Sequence, residues 1–259
     1  MDLQLKEKVI IVTGGSKGIG LGICQSLVRE GAIPVIVGRN KQSIPKAVAE
    51  LEKDGAKVGK AFTELTDPDQ CRAAVEKVLD EFGRIDGLVN NAGINDSIGL
   101  ENGDHKKFTT SIHRNLTHYY LMAHHCLPAL KKSQGAIVNI GSKTAFTGQG
   151  GTSAYAAANG GRNALTREWA VELLPFSIRV NAVIVAESFT PLYQKWIDTF
   201  PDPQKKLASI TEKIPLEKRM TTPEEIGDTV VFLLSNKSSH TTGQLLFVDG
   251  GYAHLDRSL

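Results

Sequence analysis

A tyrosine and an asparagine stand one helical turn apart in the stretch SAYAAANGG, residues 153–161. Positions four residues apart share one face of a helix, so Tyr155 and Asn159 are expected to lie side by side. A phenol with an ordinary pKa of about 10 is a poor base at neutral pH unless a neighbouring group stabilises its anion. A cation at position 159 would do so, whereas an amide donates a hydrogen bond without a full charge. The stretch therefore predicts a candidate general base whose facing position lacks a charge.

A second chemical signal is the glycine-rich stretch TGGSKGIGLG, which begins at Thr13 and follows an apolar run. Its spacing lets backbone N–H groups approach a pyrophosphate, and the helix that begins there offers its positive end. A simple turn is the alternative, but the position between the first strand and the first helix favours dinucleotide binding. The loop residues expected to contact the cofactor are Gly14, Ser16, Lys17, Gly18, Ile19 and Gly20.

The end of the second apolar run indicates which dinucleotide binds. An enzyme that favours NAD usually offers a carboxylate to the ribose at this point, but the stretch VGRN carries Arg39. A guanidinium at this position, with Lys17 in the glycine loop, suits a 2′-phosphate and favours NADP over NAD. A solvated surface arginine is the alternative, so NAD stays possible. Glu64 is a candidate for the adenine amino group, and Leu65 follows it in the predicted site.

The elements that must position these residues are visible as short apolar runs separated by stretches with helical spacing. Helix starts are legible at Asp67 before Pro68 and at Thr222 before Pro223, where Glu225 completes a capping box. The runs span residues 8–13, 33–38, 57–62, 86–90, 136–140, 178–185 and 245–250. This alternation predicts an α/β fold: a single-domain Rossmann-type doubly wound parallel sheet of about seven strands with helices on both faces.

The ligand site of such a sheet lies beyond the carboxyl ends of the strands. One domain is expected over residues 1–259, because the chain is too short for two ordinary enzyme domains. The segment at about 187–215 mixes aromatic residues, prolines and charges and shows no clear periodicity. We interpret it as a lid or substrate loop.

Composition excludes several classes of function. A net charge of +2 from 30 basic and 28 acidic residues does not indicate a nucleic-acid partner. The sequence contains no long apolar segment, so a membrane partner is not expected. Three cysteines without paired spacing favour a cytoplasmic location. No metal is expected, because the clustered histidines lack a ligand pattern and are interpreted as helix-surface or subunit-interface residues: His113, His118, His124 and His125.

Four further features complete a family pattern: NNAG at 90–93, Asn115, Ser142, and Tyr155 thirteen residues later. With the glycine loop, they resemble the classical short-chain dehydrogenase/reductase family along nearly the whole chain. Within that family, long segments such as GQGGTSAYAAA and SSHTTGQLLFVDGGYAHLDR look like the branch that contains bacterial L-fucose dehydrogenases.

The resemblance implies a role for each matching residue. Tyr155 takes the proton of the substrate hydroxyl, Ser142 hydrogen-bonds the reacting oxygen, and Asn115 holds a water that relays the proton. Thr190 matches the threonine that binds the nicotinamide carboxamide. The cofactor floor is formed by Asn91, Ala92 and Gly93.

Two departures from the family pattern stand out. Asn159 occupies the position of the family's lysine, and it could still donate a hydrogen bond to the nicotinamide ribose beside Tyr155. Val185 and Ala186 replace the usual Pro-Gly before the substrate loop. Changing Asn159 to Lys is expected to raise the oxidation rate at neutral pH by at least about 10-fold.

These observations predict an oxidoreductase that transfers a hydride between a sugar or polyol hydroxyl, such as that of an L-fucose-like aldose, and NADP. Polar residues near the expected mouth are candidates for binding the substrate hydroxyls: Asn95, Gln149 and Glu187. The resemblance implies a homotetramer or homodimer. The alternatives are a cofactor-binding protein without useful catalysis, and an active-site variant of such an enzyme in which Asn159 is an introduced change.

Overall fold

All seven apolar runs form strands of one sheet in the computed structural model, which describes residues 2–255. Residue 1 and residues 256–259 of the predicted domain lie outside the described part, as does the end of the last family-like segment. The strands are β1 (Val9–Thr13), β2 (Ile33–Gly38), β3 (Gly59–Phe62), β4 (Gly87–Asn90), β5 (Ala136–Ser142), β6 (Arg179–Val185) and β7 (Leu245–Val248).

The strand order places the carboxyl ends of β1 and β4 next to each other. The order is β3-β2-β1-β4-β5-β6-β7, and every neighbouring pair is parallel. The chain runs outward from β1 to β3, returns to β4 on the other side of β1, and continues to β7. Such a reversal opens a crevice between the loops that follow the two central strands. The predicted doubly wound parallel sheet is confirmed.

Helices cover both faces of this sheet. Two apolar cores result, one beneath the helices that contain Ile23 and Val230, and one beneath those that contain Met122 and Trp169. The helices are α1 (Gly18–Arg29), α2 (Ser43–Leu51), α3 (Pro68–Phe82), α4 (His105–Ile112), α5 (His118–Ser133), α6 (Thr144–Thr147), α7 (Ser153–Glu172), α8 (Pro191–Ile197), α9 (Pro203–Thr211) and α10 (Pro223–Leu234).

The two predicted helix starts are confirmed. The Asp67 side chain accepts hydrogen bonds from the N–H groups of Asp69 and Gln70 at the start of α3. At the start of α10, Thr222 and Glu225 form the reciprocal capping box. Each cap satisfies N–H groups that have no partner within the helix, which is why these sequence signals are local and readable.

The segment 187–215 contains two short helices, α8 and α9, that sequence periodicity did not reveal. Thr190 caps α8 by accepting the N–H of Tyr193, and Asp202 caps α9 by accepting the N–H of Lys205. In both cases the cap is followed by a proline, and proline is favourable as the first residue of a helix. No helix within residues 2–255 is long and apolar enough to cross a membrane.

Candidate active site

The glycine loop between β1 and α1 leaves room for a ligand because several of its positions are glycines. Gly14 and Gly18 have positive φ angles of 68° and 53°, which favour glycine. A Cβ atom at Gly20 would lie 2.3 Å from the carbonyl oxygen of Gly14, so this position also excludes a side chain. The loop leads directly into the N-terminus of α1, whose dipole attracts an anion. These features fit the pyrophosphate of a dinucleotide.

A cleft of about 530 Å³ extends from this loop across the carboxyl ends of the strands. Its volume is typical of a small-molecule or cofactor site. The structure brings most of the predicted site residues together on its walls: Gly14, Ser16, Lys17, Gly18, Ile19, Gly20, Arg39, Glu64, Leu65, Asn91, Ala92, Gly93, Asn95, Ser142, Tyr155 and Thr190. Asn115 and Asn159 are fully buried behind this wall.

The NNAG stretch ties the two central strands together at the floor of the cleft. The Thr13 hydroxyl accepts the N–H groups of Asn91 and Ala92 at 2.9 and 3.1 Å. The Asn91 side chain donates in return to the carbonyl oxygen of Thr13 at 2.9 Å. Deeper in the core, Asn90 donates to the side chain of Asn139 on β5. These bonds hold the loops after β1 and β4 at a fixed separation.

The two residues predicted to decide the cofactor contact each other. Arg39, after β2, donates to the carboxylate of Glu64, after β3, over 2.8 Å. Partial burial acts to raise the pKa of Glu64, but hydrogen bonds from Arg39 and Thr66 outweigh it and lower the pKa below its ordinary value. Glu64 is therefore a carboxylate at neutral pH, and it holds the guanidinium at the rim of the cleft.

Ser142 and Tyr155 both line the cleft. Ser142 is the last residue of β5, and its hydroxyl oxygen accepts a hydrogen bond from the backbone N–H of Thr144 at 3.3 Å. Tyr155 lies in the first turn of α7 and is half-buried. The end of β5 and the start of α7 thus bring a hydroxyl and a phenol into the same cleft.

Asn115 lies in a widened π-helical turn, His113–Thr117, between α4 and α5. Its side-chain oxygen accepts the N–H of Ile94 at 2.8 Å, and its side-chain nitrogen donates to the carbonyl oxygen of Ser111 at 3.0 Å. The asparagine therefore connects the loop after β4 to this turn. π turns of this kind frequently occur at functional sites.

The amide of Asn159 is occupied by protein partners on its own helix. Its nitrogen donates to the carbonyl oxygen of Tyr155 at 2.9 Å, and its oxygen accepts from the guanidinium of Arg162 at 3.0 Å. The residue has no exposed surface. The structure thus places Asn159 beside Tyr155 along the helix, as expected, but behind the wall of the cleft.

Arg162 is a cleft residue that the sequence interpretation missed. It is only 3% exposed, and its guanidinium donates to the backbone carbonyl oxygens of Asn115 and Ile140. The signal was present in the sequence, because position 162 follows Tyr155 by seven residues and Asn159 by three, so all three share one helix face. Among the buried residues of α7, this arginine is the charged exception.

His118 is a second missed residue. It is 1% exposed and lines the cleft, so its interpretation as a surface or interface histidine is wrong. Burial, reinforced by the nearby positive charge of Arg162, lowers the pKa of His118 to about 3. The imidazole is therefore neutral at physiological pH.

The candidate substrate-binding residues are placed differently from one another. Asn95 lines the cleft, and Gln149 lies exposed in the loop before α7. Glu187 is largely buried in an ion pair with Lys143, the residue after Ser142. Burial and the Glu187 carboxylate together raise the pKa of Tyr193 on α8, so this helix also adjoins the pair.

Comparisons with known proteins agree with this geometry. Residues 14–253 match the family model described as enoyl-(acyl carrier protein) reductase. Over 250 residues the chain is 35% identical to the 3-oxoacyl-(acyl-carrier-protein) reductase FabG of Thermotoga maritima, covering 96% of this chain and 99% of that protein. It is 34% identical over 247 residues to the L-fucose dehydrogenase of Oryctolagus cuniculus, covering 94% and 84%. The crystal structure of Cj0485 dehydrogenase superposes with a TM-score of 0.96 at 48% identity, covering 100% and 99%.

Proposed function

Because the chain belongs to the short-chain dehydrogenase/reductase family of NAD(P)-dependent oxidoreductases, we propose that it transfers a hydride between a sugar or polyol hydroxyl and NADP. The observation that carries this proposal is the position of Ser142 and Tyr155 in the cleft that begins at the glycine loop. A proton acceptor, a hydrogen-bonding hydroxyl and a dinucleotide cradle then meet in one water-accessible space.

The proposed chemistry assigns each residue one task. Tyr155 accepts the proton of the substrate hydroxyl, and Ser142 donates a hydrogen bond to the reacting oxygen. The C–H hydrogen leaves with its electron pair, for which the bound nicotinamide supplies the acceptor. Asn115 takes part in passing the proton to solvent, and Asn159 fixes the first turns of α7 through its bond to the Tyr155 carbonyl.

The proposed preference for NADP rests on charge. Arg39 and Lys17 both line the cleft at its adenosine end, and a guanidinium pairs well with a phosphate. Glu64 lies beside Arg39, where it could accept the adenine amino group. At the other end Thr190, packed against Gly18, is the proposed contact of the nicotinamide carboxamide.

The proposed substrate is a small hydroxylated molecule of the L-fucose type. The resemblance to L-fucose dehydrogenases, the relative of that name and the polar residue Asn95 in the cleft support this choice. We assign Gln149 and Glu187 to the same mouth, and the segment 187–215 as the substrate loop, because Thr190 and Leu192 in it line the cleft.

We further propose a homotetramer or homodimer, as in the family, and a cytoplasmic location. The location is consistent with the three cysteines, which are free and buried. Their burial raises the pKa of the thiols of Cys24 and Cys126, so both remain unreactive in the core.

A panel of initial rates tests the proposed function. Oxidation of L-fucose, D-arabinose, L-galactose, a steroid alcohol and a 3-hydroxyacyl thioester is measured with NADP and with NAD, from neutral to alkaline pH. The sugars should react faster than the last two compounds, and NADP should be the better cofactor. Preference for the acyl thioester would instead group the chain with reductases such as FabG. Cofactor binding without turnover of any alcohol would contradict the proposed activity.

A further inference from the structure

Arg162 carries a buried positive charge with neutral partners. Its hydrogen bonds go to the backbone carbonyl oxygens of Asn115 and Ile140 and to the side-chain oxygen of Asn159. Within residues 2–255, no carboxylate forms an ion pair with it. A guanidinium does not lose its proton in a protein, so the charge persists. Burying a cation without an anion is costly, so this charge is an expensive feature of the cleft.

The charge lies near the ring of the candidate base. The Cζ atom of Arg162 is 5.9 Å from the ring centroid of Tyr155 and 4.3 Å from that of Tyr119. Side chains on a helix point back towards its N-terminus, so an arginine seven residues after Tyr155 can reach over Asn159 towards the phenol. The guanidinium also lines the cleft, where four cationic side chains of the described residues are found. Of these four, Arg162 alone is buried.

The side chains of Asn159 and Arg162 contact each other directly. The short amide at position 159 leaves space for the guanidinium and accepts one of its N–H groups at 3.0 Å. The π turn presents the carbonyl oxygen of Asn115, which accepts from Nε and Nη2 of Arg162 at 2.8 and 2.6 Å. Two bonds to one acceptor fix the plane of the guanidinium and hold its charge near Tyr155.

We propose that Arg162 is the positioning residue that supplies the positive charge for the Tyr155 phenolate, in place of a cation at position 159. The inference rests on the proposed function, because it assigns the electrostatic part of that reaction to a residue outside the tyrosine-plus-four position. Position 159 can then be neutral, because the positive charge stands three residues later on the same helix face.

Other titratable groups around Tyr155 do not offer this charge. His118 on α5 is neutral, since burial and Arg162 lower its pKa to about 3. Tyr119 on the same helix is neutral too, because burial raises its pKa. Arg114 on the π turn lines the cleft but is exposed to solvent. Directly before α6, the positive charge of Lys143 is balanced by the Glu187 carboxylate in an ion pair.

The arginine also changes the expected effect of a lysine at position 159. An ammonium group there would share the buried space that Asn159 now shares with the guanidinium, and like charges repel strongly away from water. The single variant Asn159→Lys should therefore lose activity or stability, not gain rate. The same lysine should help only when Arg162 is removed at the same time.

Four variants test the proposal: Arg162→Met, Arg162→Lys, Arg162→Leu and the double variant Asn159→Lys/Arg162→Leu. Removing the charge should lower kcat/KM for oxidation at pH 7 by at least about 10-fold and move the rising limb of the pH profile up by about one pH unit. Arg162→Lys keeps a charge and should stay close to the wild-type profile. The double variant should exceed Arg162→Leu by at least about 10-fold at pH 7.

A measurement without turnover separates this role from a purely structural one. Tyrosinate absorbance is titrated in wild type and Arg162→Met, each compared with its Tyr155→Phe counterpart. The Tyr155-dependent signal should appear at higher pH without the guanidinium, while NADP affinity changes less than about 3-fold. If Arg162→Met folds and binds NADP with an unchanged titration and pH profile, the proposal is wrong.

If Arg162→Met does not fold, the double variant decides. A folded double variant whose profile rises at the same pH as the wild type supports the proposal, and one without neutral-pH activity contradicts it. Should the wild type oxidise no alcohol of the panel, the proposed function fails, whereas the tyrosinate titration still reports on Arg162.

Discussion

Arg39 and Glu64 form an ion pair of 2.8 Å between the ends of two neighbouring strands, β2 and β3. The arginine is 74% exposed, so the pair is worth little to stability by itself. The pair matters for cofactor binding, because the guanidinium that would contact a 2′-phosphate already has a carboxylate beside it. A phosphate at this position must share Arg39 with Glu64.

Changing Arg39 to Ala should weaken NADP binding by about 1 to 2 kcal/mol, or about 5- to 30-fold, and leave NAD binding nearly unchanged. Changing Glu64 to Gln should have the opposite effect on NADP, since it removes the competing negative charge. Titration calorimetry with both cofactors measures this. Lys41→Ala, an exposed cation two residues after Arg39, is the matched control. Equal losses for NAD and NADP in Arg39→Ala would contradict the assignment.

A methyl group at Gly20 should disrupt the cofactor cradle. Its Cβ would lie 2.3 Å from the Gly14 carbonyl oxygen and 2.6 Å from Nδ2 of Asn91, so the loop must move. We expect Gly20→Ala to weaken the binding of both cofactors at least about 10-fold, since overpacking typically costs about 1 to 3 kcal/mol. The control is Gly160→Ala in α7, where a Cβ has no neighbour within 4 Å. It should bind normally and be more stable by about 0.5 to 1 kcal/mol. Normal binding by Gly20→Ala would show that the loop is not the cradle.

Lys143 and Glu187 should depend on each other for stability, because their side chains are only 8% and 13% exposed. Lys143→Met leaves a buried carboxylate without its partner and should lower the free energy of unfolding by about 3 kcal/mol. The double variant Lys143→Met/Glu187→Leu should recover most of this loss. Denaturant unfolding of the wild type, Lys143→Met, Glu187→Leu and the double variant gives the coupling free energy. Independent, additive effects would mean that the pair does not act as a unit.

The stability of the protein should fall with acid partly because of His118. The unfolded chain takes up a proton at the ordinary histidine pKa of about 6.5, whereas the folded protein does not until about pH 3. Between these values the unfolded state binds more protons, so stability rises with pH by up to about 1.4 kcal/mol per pH unit. His118→Gln should flatten this slope between about pH 4 and 6.5 in denaturant unfolding. His240→Gln, at an exposed position, serves as the control; the same slope in both variants would rule out His118.

Local signals in the sequence were sufficient for the fold. The five central strands are apolar runs buried largely by their neighbours. The caps at Asp67 and Thr222 involve groups within three residues of each other. The glycine loop could be placed for the same reason, because its requirement for space is set by its own backbone. The helices α8 and α9 were missed because their signals are caps followed by proline in a segment without apolar periodicity.

The tertiary structure alone decided which charges meet. Arg39 and Glu64 are 25 residues apart in the chain, and Lys143 and Glu187 are 44 apart, so no local pattern pairs them. The sequence by itself determined that Tyr155 faces an amide at position 159. Only the packing of α7 against the π turn showed that the guanidinium of Arg162 lies 5.9 Å from the centre of the Tyr155 ring. A long, flexible side chain such as that of arginine can adopt many positions. Its position is decided by hydrogen-bond acceptors and burial, and folding brings both from other elements of the chain.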